Sequence, residues 1–276
     1  MSRDKIMIAE MTQPEVEAAL RQDPVLFVPM GSLENQGPQN FMGDYLMATR
    51  IAELAADRAR ATGQLVLVAP TLPFGCWDAF AGAPGCITLR PDTFRLVLRD
   101  LLTPWVEHGV RHIVIVNGHS GNVEPIYEVT NAIYEERGLI IPSVYLWKAA
   151  FSGLVKAIGK EQAFRTSGHG ANALGSVAMH LFPEHIRTDL AEPPQPRGEV
   201  LGLPVSGFAC VKFQGVDVDI PVSIRDTSTN GVTSGDMRAC SAETGAKVTE
   251  DLVALLADFA AHLAATPPSV APHGAT

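Results

Sequence analysis

HIVIVNGHSGNVEPIYEVTNAIYEER, residues 112–137, decides the fold. Its opening, HIVIV at 112–116, is a continuous run of strand-forming residues with no in/out alternation, as expected for a strand covered on both faces. A glycine-bearing loop follows, Asn117-Gly118-His119-Ser120-Gly121-Asn122, and residues 122–137 then carry a helix-length pattern. Strand, loop and helix in that order form the repeating unit of a parallel α/β sheet.

The same rhythm extends in both directions. VLFVP at 25–29, LVLVAP at 65–70 and LIIPSVYL at 139–146 are further strand-like runs. Helix-length segments occupy 44–60, 91–108, 171–181 and 241–263, and residues 1–20 turn into a capped helix pattern. We therefore expect an α/β protein: a single three-layer α/β/α domain with a mostly parallel central sheet, over residues 1–265. Two stretches depart from the rhythm. DLAEPPQPRGEVLG at 189–202 is rich in proline and glycine and reads as a surface crossing, with a hairpin or extra strands expected over 203–213 and 216–224. Residues 266–276 are of low complexity and are expected to form a flexible C-terminal tail.

The charge balance narrows the function. With 21 Lys+Arg against 30 Asp+Glu the net charge is −9. With no basic cluster, phosphate-mediated nucleic-acid binding and docking on anionic lipid are excluded as primary roles. No apolar run reaches the roughly 18–20 residues of a membrane span. Asp4 and Glu10 interrupt any signal-peptide core. The four cysteines show no CxxC spacing, which fits a reducing, cytoplasmic setting better than a disulfide framework.

In open α/β sheets ligands sit beyond the carboxyl ends of strands, so the residues after each run are the candidates. Glu34 and Asp44 follow the first run, Cys76, Trp77 and Asp78 the second, and His119 the run quoted above. Two carboxylates and an imidazole on one sheet rim could hold a metal with a position left for water, the usual catalytic zinc arrangement. Such an ion lowers the pKa of its water to about 7.

Five motifs then carry a resemblance. GSLENQGPQNFMGD at 31–44 is similar to the creatininase-family opening motif G-S-x-E-x-H-G-P-H-L-P-x-G-T-D, with one residue missing between Gln39 and Asp44. IVIVNGHSGN at 113–122 resembles N-G-H-G-G-N, and SGHGANALGSVAMHLFPE at 167–184 resembles the H-A-G-x-x-E-T-S helix. LPFGCWDAFAGAPGCITLRPDTF at 72–94 and GDMRACSAETG at 235–245 match two further family segments, in the family's order. The resemblance implies a metal-dependent hydrolase, usually a homo-oligomer (a hexamer), that opens cyclic or linear amides. Creatinine, formamidopyrimidines and peptide precursors are such substrates, and a few members cleave a C–C bond in an oxidised inositol. It assigns Glu34, Asp44 and His119 to one metal and His169 to proton transfer, for which imidazole needs no tuning.

The departures are as informative. The family's second metal uses the motif's first His and a Glu from one of two later motifs, and these positions are Gln36, Gly121 and Leu174. An amide oxygen binds zinc poorly, and Gly and Leu offer no ligand. One divalent metal per chain is therefore expected, zinc first and manganese as the alternative. Gln39 replaces the second His, and Ala79-Phe80 replaces a Glu-His pair. Gln36, Gln39 and Asn40 would then hydrogen-bond a polar neutral ligand, Trp77 and Phe80 would wall it, and Asp78 would carry protons. Asn117 and Asn122 are read as loop-shaping residues. Glu124 is a candidate replacement carboxylate, and Cys76 and Cys86 are read as small packed side chains. The expected substrate is a small, cyclic, polar molecule cleaved at a C–N bond. The alternatives are C–C cleavage of a cyclic diketone such as 3-dehydro-scyllo-inosose and a non-catalytic ligand-binding relative.

Overall fold

The computed structural model describes residues 5–76 and 79–267. Its strands are β1 (Val25–Met30), β2 (Val66–Val68), β3 (Gly75–Cys76), β4 (Thr88–Leu89), β5 (His112–Asn117), β6 (Ser143–Tyr145), β7 (Glu199–Val200), β8 (Leu203–Gly207), β9 (Cys210–Phe213) and β10 (Val216–Asp219). Its α-helices are α1 (Gln13–Leu20), α2 (Asp44–Ala61), α3 (Pro91–Glu107), α4 (Val123–Arg137), α5 (Leu146–Ile158), α6 (Lys160–Thr166), α7 (Leu174–Leu181), α8 (Ile224–Thr227) and α9 (Ala242–Ala264).

The central sheet is parallel throughout, in the order β2-β1-β5-β6. The period-2 pleat sends alternate side chains to opposite faces. Val25, Phe27, Val66, Val68, Val114 and Val116 face α2, α5, α7 and α9. Leu26, Val28, Leu67, Ile113 and Ile115 face α3 and α4. Burial on both faces is why these strands read as unbroken apolar runs, and it confirms the α/β layering. Ala48, Ala52, Ala55, Ala56 and Ala59 recur along α2 at helical spacing, all buried. Their small side chains let α2 lie close between the sheet and α9.

A proline is unusual in a central strand because it cannot donate to the ladder. Pro29 of β1 is tolerated because odd residues of that strand bond towards β2, as Val25 N–H does to the Leu65 carbonyl. β2 ends at Val68, opposite Phe27, so no partner strand awaits the missing donor.

Three expectations shift on detail. The run at 139–146 forms a strand only over Ser143–Tyr145. Pro142 offers no N–H and contributes only its carbonyl, to Ile115 N–H, while Leu139 and Ile141 pack under the sheet. The helix expected from 171 begins at Leu174, and α5 and α6 occupy a stretch not read as helical. Of the hairpin or extra strands expected after residue 202, extra strands form: residues 199–219 build a four-stranded antiparallel sheet, β10-β9-β8-β7. Residues 268–276 of the expected tail lie outside the described residues. Among the described residues no helix is long and apolar enough to cross a membrane.

Candidate metal centre

β1, β5 and β6 end on one rim, and the loops leaving that rim bring three acid–base side chains together. Asp44 is the first residue of α2, while Glu34 and His119 lie in the loops after β1 and β5. One ligand atom from each of Glu34, Asp44 and His119 lies within 4.8 Å of the other two, and all three residues are buried. His119 Nδ1 stands 3.2 Å from Glu34 Oε2 and 3.8 Å from Asp44 Oδ2. The other ring nitrogen, Nε2, lies 3.1 Å from the Cys76 carbonyl. A carbonyl can only accept, so Nε2 carries a proton, and Nδ1 faces the two carboxylates. A metal-ligating imidazole is held in the same way, by a hydrogen bond on its far nitrogen. Electron-rich atoms this close and this far from water require a proton or a cation among them.

The carboxylates are positioned with similar care. Ser32 donates to Asp44 twice, from its N–H to Oδ1 at 2.5 Å and from its hydroxyl to Oδ2 at 2.9 Å. Burial, and then the neighbouring Glu34 charge, push the Asp44 carboxyl well above its usual range, although Ser32 and His119 oppose this. Backbone comes very close here. A Cβ on Gly31 would sit 2.2 Å from Asp44 Oδ1, and one on Gly75 would sit 2.7 Å from His119 Cδ2. Only glycine fits either place.

A network of asparagines fixes the imidazole from behind. Asn117 Oδ1 accepts from His119 N–H at 3.0 Å, and Asn117 Nδ2 donates to the His119 carbonyl at 2.7 Å. Asn122 Oδ1 accepts from Cys76 N–H at 2.8 Å, and its Nδ2 reaches the Gly31 carbonyl and Asn117 Oδ1, each at 3.2 Å. The loop-shaping role read for these asparagines thus extends to holding the Cys76 carbonyl against His119. Trp147 Nε1 donates to the Gly118 carbonyl at 2.5 Å and ties α5 to the same loop.

His169 lies beside this group, lining a cavity of about 230 Å³ with Ser120, Tyr145, Trp147 and Phe208. Its Nε2 donates to the Asn35 carbonyl at 2.5 Å, which leaves Nδ1 as the basic nitrogen. Phe80 stacks on the ring at 4.3 Å and Phe208 meets it edge-on at 5.0 Å. Burial holds the imidazole below its ordinary pKa, with the Glu34 charge pulling the other way. A neutral imidazole beside a carboxylate-rich site can take up a proton and return it.

The proposed substrate-contacting residues are placed unevenly. Gln36 joins the acid group, its Nε2 donating to Glu34 Oε1 at 2.8 Å and reaching Asp44 Oδ2 at 3.5 Å. Gln39 is buried, with its nitrogen 3.4 Å from the Met237 carbonyl. Asn40 Nδ2 is engaged by the Gln36 and Gly170 carbonyls. None of these three amides lines the His169 cavity. Phe80 supports His169, while Trp77 and Asp78 lie outside the described residues. Glu124 lines a separate cavity of about 690 Å³ with Arg95, Glu128 and Asp219. Cys76 is buried, and only its backbone groups serve the site. The sequence reading missed Ser32, Ser120, Tyr145 and Trp147. For Tyr145 the signal was available: it is the last residue of the fourth strand-like run, where the strand-end rule points.

The profile of the creatininase family, described as creatinine amidohydrolase, matches residues 9–260. Creatinine amidohydrolase of Pseudomonas putida is 27% identical over 199 residues, 67% of this chain and 75% of that protein. The 3-dehydro-scyllo-inosose hydrolase of Thermotoga maritima is 25% identical over 195 residues, covering 68% of this chain and 60% of its own length. The mycofactocin precursor peptide peptidase of Mycolicibacterium smegmatis is 25% identical over 180 residues, 60% of this chain and 61% of that protein. Among solved structures, a creatininase with Mn superposes with a TM-score of 0.73 at 24% identity, covering 96% of this chain and 100% of that one. A mutant creatininase of Zn-Zn type gives 0.72 at 24% identity over 96% and 99% of the two chains. These likenesses show a shared fold.

Proposed function

The chain belongs to the creatininase family, and from that premise we propose that it is a metal-dependent hydrolase opening a small, cyclic, polar substrate at a C–N bond of amide or lactam type. The observation that carries this reading is the buried convergence of Glu34, Asp44 and His119 on the sheet rim, beside the cavity lined by His169. Two carboxylate oxygens and one imidazole nitrogen suit a borderline dication, zinc first and manganese second. Relatives in Mn and Zn-Zn forms support both choices. When bound, such an ion supplies Lewis acidity to water and to a carbonyl.

The protein's own groups have separable tasks. Glu34 and Asp44 are the anionic holders, and Ser32 and the asparagine network keep them and His119 in place. His169 takes a proton at Nδ1 from the attacking water and passes it to the leaving nitrogen. Phe80 covers one face of that ring and Phe208 meets it edge-on, an apolar setting that favours the neutral form before the proton arrives. Gln36 places an amide N–H₂ against both carboxylates, where a second ion would otherwise find its ligands, which supports one metal per chain.

A reducing, cytoplasmic setting suits four unbridged cysteines. A homo-oligomer suits the apolar surface exposed by Phe213, Val216 and Val218 on the antiparallel sheet and by Leu201 in its β7–β8 turn. The activity is tested by incubating metal-replete protein with creatinine, a formamidopyrimidine and 3-dehydro-scyllo-inosose, following ring opening by mass spectrometry. Chelator-sensitive addition of one water to a C–N ring supports the reading. Turnover confined to the inosose moves the assignment to C–C hydrolysis. Absence of bound metal after expression in metal-replete medium would make the chain a non-catalytic relative.

A further inference from the structure

Tyr145 is the last residue of β6 and pairs in register with Asn117, two residues before His119. It therefore stands on the rim that supplies the metal-holding side chains. Its side chain lines the His169 cavity together with Ser120, the two hydroxyls close enough to pair, and lies within electrostatic reach of both Asp44 and Glu34. Two hydroxyls joined by one hydrogen bond consume only one of their two O–H groups. With the Ser120 hydroxyl donating to the phenolic oxygen, the Tyr145 O–H is left for a ligand in the cavity.

Resting on the hydrolase reading, we propose that Tyr145 is a further catalytic residue, its hydroxyl, backed by Ser120, donating a hydrogen bond to the substrate carbonyl oxygen as that oxygen gains negative charge. No proton is transferred: the phenol keeps its hydrogen, and the hydrogen bond shortens as charge develops. Burial, with the two carboxylates nearby, holds the phenol above its ordinary pKa, so it stays a donor at neutral pH. Such a donor acts chiefly on the transition state, because its hydrogen bond is stronger to an oxyanion than to a neutral carbonyl.

The test is Tyr145→Phe, which preserves the ring and removes only the hydroxyl. Removing one oxyanion donor typically costs about 10²–10³ in kcat. We expect a kcat loss of at least about tenfold with KM nearly unchanged and metal content equal to wild type. A readout independent of turnover is acetohydroxamate, an oxyanion probe for the loaded centre. Its affinity should fall about tenfold in Tyr145→Phe, the magnitude of a charge-assisted hydrogen bond. Wild-type kcat and probe affinity in a folded, metal-replete Tyr145→Phe protein would overturn the Tyr145 role and leave the hydrolase reading standing. A wild-type protein that takes up no metal would overturn both, and is read on a different sample.

Discussion

Replacing Asn122 with alanine tests whether the second layer of the site holds it together. Asn122 is fully buried and touches no proposed metal ligand's donor atom. It makes three hydrogen bonds, with Cys76 N–H, the Gly31 carbonyl and Asn117 Oδ1. At about 1 kcal/mol net for each, their loss comes to about 3 kcal/mol, and stranding the Cys76 N–H away from water adds roughly another 1. For a domain of this size each kcal/mol moves Tm by about 2–4 °C, so a fall of roughly 10 °C is expected. Losing the brace on Cys76 also frees the carbonyl that sets the His119 tautomer, and removing such an outer partner costs about 10–100-fold in metal affinity. Thermal unfolding followed by circular dichroism gives the first quantity, and competition with a chromogenic chelator gives the second. An Asn122→Ala protein with wild-type Tm and wild-type metal affinity would refute the reasoning.

Other perturbations probe different links. Gly31→Ala places a methyl 2.2 Å from Asp44 Oδ1 and 2.6 Å from Tyr45 N, so metal uptake measured on the folded fraction should be lost; retention would show that the loop yields. Because His169 is held below its ordinary pKa, the unfolded chain takes up this proton first as pH falls below about 6.5. The stability owed to neutral His169 is therefore complete above that value and is lost as pH falls through it towards the folded pKa. Wild type should lose more Tm than His169→Asn over that window, and the acid limb of kcat/KM should lie below the ordinary imidazole value. Parallel Tm curves, or an acid limb above it, would contradict the assignment. Phe27→Ala empties a fully buried site on the α2 face of the sheet and should cost about 3–5 kcal/mol in denaturant unfolding; a loss under about 1 kcal/mol would mean that the core collapses around it.

The central strands were legible because β1 and β5 are buried on both faces, β1 apolar at every position and β5 over residues 113–116, a signal that survives without an alignment. The clustering of the three candidate metal ligands was legible for a related reason: strand ends on one rim converge, and Glu34, Asp44 and His119 lie in the segments that follow two of them. What the sequence concealed depends on contacts distant along the chain. The role of Asn122 requires the meeting of residues 31, 76, 117 and 122, and nothing local to Asn122 announces it. Gln36 and Gln39 read as ligand contacts because amides stand where the resembling motif has histidines. Their partners, Glu34 and the Met237 carbonyl, become visible only once the loop is packed. α5 went unread because LWKAAFSGLVKAI follows the last strand-like run with no capping residue to mark its start. The antiparallel sheet was blurred by glycine-rich turns that resemble coil.

The most direct test of the account is elemental analysis of purified, metal-replete wild type beside His119→Ala. The account predicts close to one divalent metal per wild-type chain and almost none in the variant. No metal in the wild type, two per chain, or full retention in His119→Ala would contradict it.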